Sequence, residues 1–400
     1  MNRNDFPIFK KNKNLVYFDN GATTLKPQCV IDAITDYYSS YTANAHRGDY
    51  DNSVEVDQKY ENVREKIKEF INANKSSEII FTKGTTDSLN MIVFGFMENY
   101  LHDGDEVLLS RSEHASNILP WMELANRIGI KVKFIELDDN FSITKENIES
   151  AITANTKVIS LAHVTNVIGD VRDINMIGDI CKSKNILFVV DAAQSMGHIK
   201  IDVQKSNVSF LAFSAHKMLG PTGVGGLYGK YELLDKLVPT EYGGGMNAFF
   251  ESSGEVEYKE LPERLEAGTQ NIAGVIGMGS AIDYINNIGI ENIHNYEMKL
   301  KKYAIKKLEN IKDLTIYNKN SQSGIIVFNI DKIFSQDLAV YLNHYKICVR
   351  SGNHCAKILK DEIKTTNTCR ASFYFYNTKE EIDLLVKVLN NHGNIFDIIL

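Results

Sequence analysis

Between Glu106 and Ser214 the chain alternates strand-like apolar runs with helix-like stretches, and no other feature constrains its fold as strongly. The candidate strands are Glu106–Ser110, Lys131–Leu137, Lys157–His163, Leu187–Asp191 and Val208–Ser214. Segments long enough for crossover helices lie between several of them. Parallel strands need such crossovers, because a tight hairpin joins only antiparallel neighbours. The expected fold class is therefore α/β, a mostly parallel sheet covered by helices.

The last third reads differently. Ile293, Tyr296, Leu300, Ala304, Leu308 and Ile311 recur at helical spacing and predict one long amphipathic helix. Strand-like runs follow at Gly324–Ile330, Ile347–Ser351 and Cys369–Tyr376. Thr378-Lys-Glu-Glu381 is a capping-box pattern ahead of Ile382, Leu385, Val386 and Leu389. These elements predict a smaller α+β domain that begins near residues 270–290.

A chain of 400 residues accommodates both cores. The net charge of -7 is spread with both signs interspersed, leaving no basic stripe for nucleic acid or an anionic membrane. The polar, lysine-rich start Met1–Tyr17 does not read as a secretory signal, and no apolar run is long enough to predict a membrane span. Cys29, Cys181, Cys348, Cys355 and Cys369 are too scattered for a disulfide framework. A cytoplasmic setting is expected, where a special cysteine is reactive rather than cross-linked.

Three places carry chemistry. In Ile79-Ile-Phe-Thr-Lys-Gly-Thr-Thr86 a short strand passes through Gly84 into a helix, so Thr85 and Thr86 either cap that helix or help its free N–H groups hold a phosphate. Asp191 and Lys217 end or follow two predicted strands, where parallel sheets form their ligand crevice. They are either an ion pair or a carboxylate and a nucleophilic amine serving a bound cofactor. Gly352 suits a turn that puts Cys355 on a loop, with Arg350 and His354 as nearby cationic candidates to favour its thiolate. Cys29, Cys181 and Cys348 are read as small buried hydrophobes, and Cys369 as structural within a strand.

Competing motifs fail. Gly220–Lys230 invites a P-loop reading, but Val224 stands where that loop needs glycine. His344, Cys348, His354 and Cys355 have no standard zinc spacing, so no metal is expected.

Ser214-Ala-His-Lys-Met-Leu-Gly-Pro-Thr-Gly223 resembles the cofactor-lysine motif of the class V aminotransferase family, and more closely that of its cysteine desulfurases. In the same order, Phe81–Thr86, His163–Gly169, Asp191–Gln194 and Glu266–Thr269 resemble further family motifs, from Tyr17–Thr23 through to Arg370–Ser372. The resemblance implies a fold-type I pyridoxal-phosphate transferase with a mostly parallel seven-stranded sheet and a smaller α+β C-terminal domain. Residues 1–30 would pack near the small domain and active site, 31–275 would form the cofactor domain, and 276–400 the small domain with the cysteine loop. A homodimer is implied.

Roles follow by position. Lys217 would hold pyridoxal 5'-phosphate as a Schiff base, with Asp191 at the pyridine nitrogen, Gln194 and Asn166 near the ring oxygen, and catalytic His114 stacked on the ring. Gly84, Thr85, Thr86, Ser214 and His216 would serve the phosphate, with Thr269 reaching over from a second subunit. Arg370, helped by Arg350, would bind the substrate carboxylate, and Ala22, His46 and Asn166 also fall at the substrate site.

The loop Arg350-Ser-Gly-Asn-His-Cys-Ala356 resembles that of the Suf-type, second-group desulfurases and selenocysteine lyases. It implies an L-cysteine (or L-selenocysteine) substrate, a persulfide on Cys355 and transfer of sulfur to a Suf-like acceptor or scaffold protein for iron–sulfur or other thio-cofactor assembly. The alternatives are another class V enzyme, such as an aminotransferase or epimerase, and a non-catalytic cofactor-binding scaffold. Asn353 stands where the pattern has histidine, Gly21 where it has alanine, and Ala215 where it has glycine. A Cβ at 215 is expected to crowd the phosphate turn.

Overall fold

A computed structural model describes residues 2–399. Its main sheet has seven strands in the order Ile79–Thr82, Gly225–Gly229, Phe210–Ser214, Leu187–Asp191, Thr156–Ala162, Glu106–Ser110 and Lys131–Ile135. All five predicted strands of this sheet are present to within a residue or two. The last five in that order run parallel, while Gly225–Gly229 is antiparallel to both neighbours. The short Ala215–Val224 connection leaves no room for a crossover helix and so reverses the chain.

Both faces of the sheet are covered. Phe188 and Val190 join a core with Val56, Ile67 and Ile282. Val189, from the same strand, faces the other way toward Trp121 and Phe96. A strand buried on both sides reads as a continuous apolar run, which is why Leu187–Val190 carries no alternation. The edge strand Lys131–Ile135 does alternate; its outward Lys133 pairs with Glu106 at 2.6 Å and blunts the open edge.

The C-terminal region carries a four-stranded antiparallel sheet in the order Leu314–Ile316, Ile325–Ile330, Thr368–Ser372 and Arg350–Gly352. Leu300, Phe328, Leu342 and Leu385 fill its core. The helix Ile290–Leu308 supplies Leu300 and Ala304, although Ile311 lies beyond its end. Thr378 caps the helix Lys379–Asn390 with Glu381 closing the box.

The predicted run Ile347–Ser351 divides. Ile347–Cys348 pairs in parallel with Val16–Tyr17, and Arg350–Gly352 turns to pair with Thr368–Ser372. This division ties the N-terminal segment to the small sheet, beside a bridge from Asp19 to Ser372. The strand predicted over Cys369–Tyr376 ends at Ser372. The residues beyond it are buried aromatics packed against Phe6 and Tyr284 instead. The helix after Gly84 is α-helical only to Asn90, then widens into a π turn over Met91–Met97 that buries Met91 along with Ile92, Val93, Phe96 and Met97. Cys29 is exposed and Cys348 half-buried, so neither is the buried hydrophobe expected. An isolated cysteine carries no periodic neighbours to fix its face.

Candidate active site

The carboxyl ends of the parallel strands open onto a cavity of about 250 Å³. The strand Leu187–Asp191 delivers Asp191, and Phe210–Ser214 leads into the short 3-10 turn Ala215–Lys217. Asn166 and His114 arrive on the loops after two further strands, and Arg370 comes from the small sheet. The cavity lies where a parallel sheet leaves its ligand crevice.

Burial pushes the Asp191 carboxyl up to about 6, against the opposing pull of the Ala193 N–H, at 2.9 Å, and of Lys217. Burial likewise brings the Lys217 amine down to about 8, although Asp191 favours its charge. Burial thus pushes both groups toward their neutral forms, and each one's charge only partly offsets this for the other. His114 is brought to about 4 by burial and by the Lys217, Arg350 and Arg370 cations. The Ser116 backbone N–H donates to its Nδ1 at 3.1 Å, which leaves the proton of the neutral ring on Nε2.

At one end of the cavity, the Thr85 N–H donates to Ser214 Oγ at 2.8 Å, and the Thr85 and Ser214 hydroxyls lie 2.8 Å apart. Gly84 has φ 143°, and a Cβ there would stand 3.0 Å from Ser214 Oγ. The Thr86 and Ser116 hydroxyls lie 2.7 Å apart. His216, brought to about 4 by burial, completes this cluster of donors on the cavity wall.

At the other end, Arg370 is fully buried, donating to the Asn166 carbonyl at 2.7 Å and pairing with Asp19 at 3.2 Å. Arg350 Nη2 lies 3.6 Å from Cys355 Sγ, and Cys355 is exposed. The cysteine loop is pinned from outside at two points and closed by one bond of its own. The Cys355 carbonyl accepts from Ala115 N–H at 2.8 Å, the His354 carbonyl accepts from Asn166 Nδ2 at 2.6 Å, and the Cys355 N–H donates to Asn353 Oδ1 at 3.2 Å. His354 turns into the protein, with Nε2 3.0 Å from Thr368 Oγ1, and burial brings it to about 3. It stays neutral and faces away from the thiol, so Arg350 is the cation that does meet Cys355.

Ala22 and Gln194 also line the cavity, and Gln194 donates to the Gly21 carbonyl at 2.7 Å. Thr269 and His46 are not brought there. Thr269 is exposed, 3.3 Å from Asn44 Nδ2, and His46 pairs with Glu61 at 3.3 Å. Ala215 does not crowd the phosphate end: its Cβ is buried in the core and faces Gly220. Asp19, within the Tyr17–Thr23 motif, is a site residue that motif reading misses; its signal is the acid, which a buried arginine elsewhere in the chain requires. Glu113 and Arg172, a fully buried pair behind His114, had no signal because they meet only through the fold.

These residues fit pyridoxal phosphate. Asn166 Oδ1 and Arg370 Nε are buried at the cavity without partners, as groups awaiting a ligand are. The hydroxyl and amide donors at Gly84–Thr86 suit a phosphate, Asp191 suits a pyridinium, and the neutral-leaning Lys217 suits an aldehyde.

The architecture is that of fold-type I pyridoxal-phosphate enzymes. Residues 16–385 match the Aminotransferase class-V family model. The chain belongs to that family. It is 41% identical over 397 residues to a probable cysteine desulfurase of Halalkalibacterium halodurans, covering 98% of this chain and 97% of the relative. A probable cysteine desulfurase of Staphylococcus aureus is 40% identical, with 98% and 96% covered. An apo cysteine desulfurase from Thermococcus onnurineus superposes with a TM-score of 0.93 at 38% identity, covering 97% and 96% of the two chains.

Proposed function

We propose that the chain is a pyridoxal-phosphate-dependent cysteine desulfurase that converts L-cysteine to L-alanine and leaves a persulfide on Cys355. The observation that carries this reading is an exposed thiol, 3.6 Å from the Arg350 guanidinium, on the rim of the cavity that holds Lys217 and Asp191. An aminotransferase needs no such thiol.

When bound, the cofactor supplies an electron sink for the pair released as the substrate Cα proton leaves. Asp191 would sustain that sink by holding the pyridine nitrogen protonated. Arg370 takes the substrate carboxylate in a bidentate grip, oriented by Asp19 and the Asn166 carbonyl, with Arg350 assisting. Lys217 would hold the cofactor covalently and, once released, would take the Cα proton and return one to the product carbon. The Cys355 thiolate, beside the Arg350 guanidinium, attacks the substrate sulfur. The Sγ–S bond forms as the Cβ–S bond breaks, the carbon keeps the electron pair and gains a proton, and alanine leaves.

The same persulfide is then open to a small thiol or to a Suf-like acceptor protein, and Thr269 serves the phosphate of a second subunit in a homodimer. Cys355 must be a free thiol to act, which favours the reducing cytoplasm. The test is incubation of the loaded chain with L-cysteine and a reductant, assaying alanine, sulfide and pyruvate. Alanine and sulfide in equal amounts support the reading; a keto acid in place of alanine overturns it. L-Selenocysteine as an alternative substrate separates a lyase, which would turn over selenium but not sulfur.

A further inference from the structure

Behind the Lys217 backbone lies an ionisable pair for which the proposed reaction has no use. His198 Nε2 is 3.3 Å from the Lys217 carbonyl oxygen, and its Nδ1 is 2.9 Å from Glu297 Oε1. Glu297 is buried and stands on the helix Ile290–Leu308, whose Leu300 and Ala304 belong to the small-domain core. Tyr374 covers the imidazole with ring centroids 4.4 Å apart, and its hydroxyl donates to the Gly197 carbonyl at 2.9 Å. His294, on the same helix as Glu297, and the buried Tyr376 are further titratable groups near the pair.

The hydrogen-bond roles follow from chemistry. A carbonyl oxygen only accepts, so Nε2 carries a proton. Nδ1 and Glu297 then share one proton, as imidazolium and carboxylate or as imidazole and carboxylic acid. Either way the Nε2–H stays on Lys217. The preceding carbonyl, of His216, accepts from Thr23 Oγ1 at 3.0 Å, Thr24 N–H at 3.0 Å and Lys26 Nζ at 2.9 Å. Successive carbonyls of the turn are thus held by different elements, the N-terminal segment at His216 and the His198–Glu297 pair at Lys217.

We propose that His198, oriented by Glu297, is a positioning residue that fixes the turn from which Lys217 reaches the cofactor and ties that turn to the small-domain helix. This role rests on the cofactor assignment made above.

The test uses the full chain loaded with pyridoxal phosphate, comparing His198→Phe, which keeps a ring but loses both hydrogen bonds, with His198→Gln, which keeps a donor. The readouts are the pH midpoint of the visible absorbance of the bound cofactor, its rate of covalent attachment, and the melting temperature. His198→Phe is expected to slow attachment about fivefold, the worth of one hydrogen bond, and to move the midpoint. His198→Gln is expected to recover most of both. If His198→Phe does not fold, Glu297→Gln is expected to slow attachment and move the midpoint relative to the wild-type chain, and an unchanged rate and midpoint in that variant overturn the role. An unmoved midpoint and rate in His198→Phe, even beside a lower melting temperature, overturn the role, as does His198→Gln behaving like the phenylalanine variant. A wild-type chain that attaches no pyridoxal phosphate at Lys217 refutes the cofactor assignment itself.

Discussion

At the scale of single residues, Gly21 makes room for the arginine that takes the substrate carboxylate. A Cβ there would stand 3.1 Å from the Arg370 guanidinium carbon, and Arg370 cannot retreat because Asp19 and the Asn166 carbonyl hold it. Gly21→Ala is therefore expected to raise KM for L-cysteine several-fold, on the order of 1 kcal/mol, with kcat little changed. Steady-state kinetics check this; an unchanged KM contradicts it. Lys217 gives a pH prediction. Its folded value near 8 lies below that of the unfolded chain, so between the two the unfolded chain binds the extra proton. Stability of the cofactor-free chain then rises with pH through that window, and Lys217→Met removes the Lys217 part of the rise in urea midpoints. Covalent attachment should accelerate as pH rises through about 8, where the neutral amine of the folded chain appears, and level off above it. The motif residues Lys217, Asp191, Ser214 and Thr85 were legible because they sit at fixed offsets from glycines and strand ends. Asp19 on Arg370 and Glu297 on His198 were not, because each partnership joins distant parts of the chain.

At the scale of elements, the turn into the phosphate end depends on a conformation that L side chains rarely adopt. Gly84→Ala must place a Cβ at φ 143° and against Ser214 Oγ, a strain of about 1–3 kcal/mol. Both the melting temperature and the affinity for pyridoxal phosphate are expected to fall, with equilibrium dialysis reading the second; unchanged affinity contradicts the assignment of this turn. The main-sheet strands could be read from sequence because burial on two faces makes them continuous apolar runs. The division of Ile347–Ser351 could not, since one partner, Val16–Tyr17, lies at the far end of the chain and the other, Thr368–Ser372, just beyond the cysteine loop. The π turn at Met91–Met97 escaped for a related reason: an apolar run fits either winding.

At the scale of the whole molecule, the cavity draws on the N-terminal segment, the large sheet and the small sheet, which explains why the motifs span nearly the full chain. Thr269 is the exception, exposed beside Asn44 and outside the cavity. If it serves a second subunit, mixing inactive Lys217→Ala with Thr269→Val is expected to raise the activity above that of Thr269→Val alone. Each mixed dimer then contains one site with both groups, and no gain on mixing contradicts the proposal. Division of labour between subunits has no periodic signature, so only the Glu266–Thr269 motif pointed to it. The central claim is that Cys355 takes the sulfur, and the most direct measurement is alanine formation by Cys355→Ser loaded with pyridoxal phosphate and supplied with L-cysteine. The account predicts normal visible absorbance of the bound cofactor with alanine turnover lowered at least ~100-fold, the loss of a nucleophile rather than of a fold. Alanine formed at the wild-type rate by that variant would contradict it.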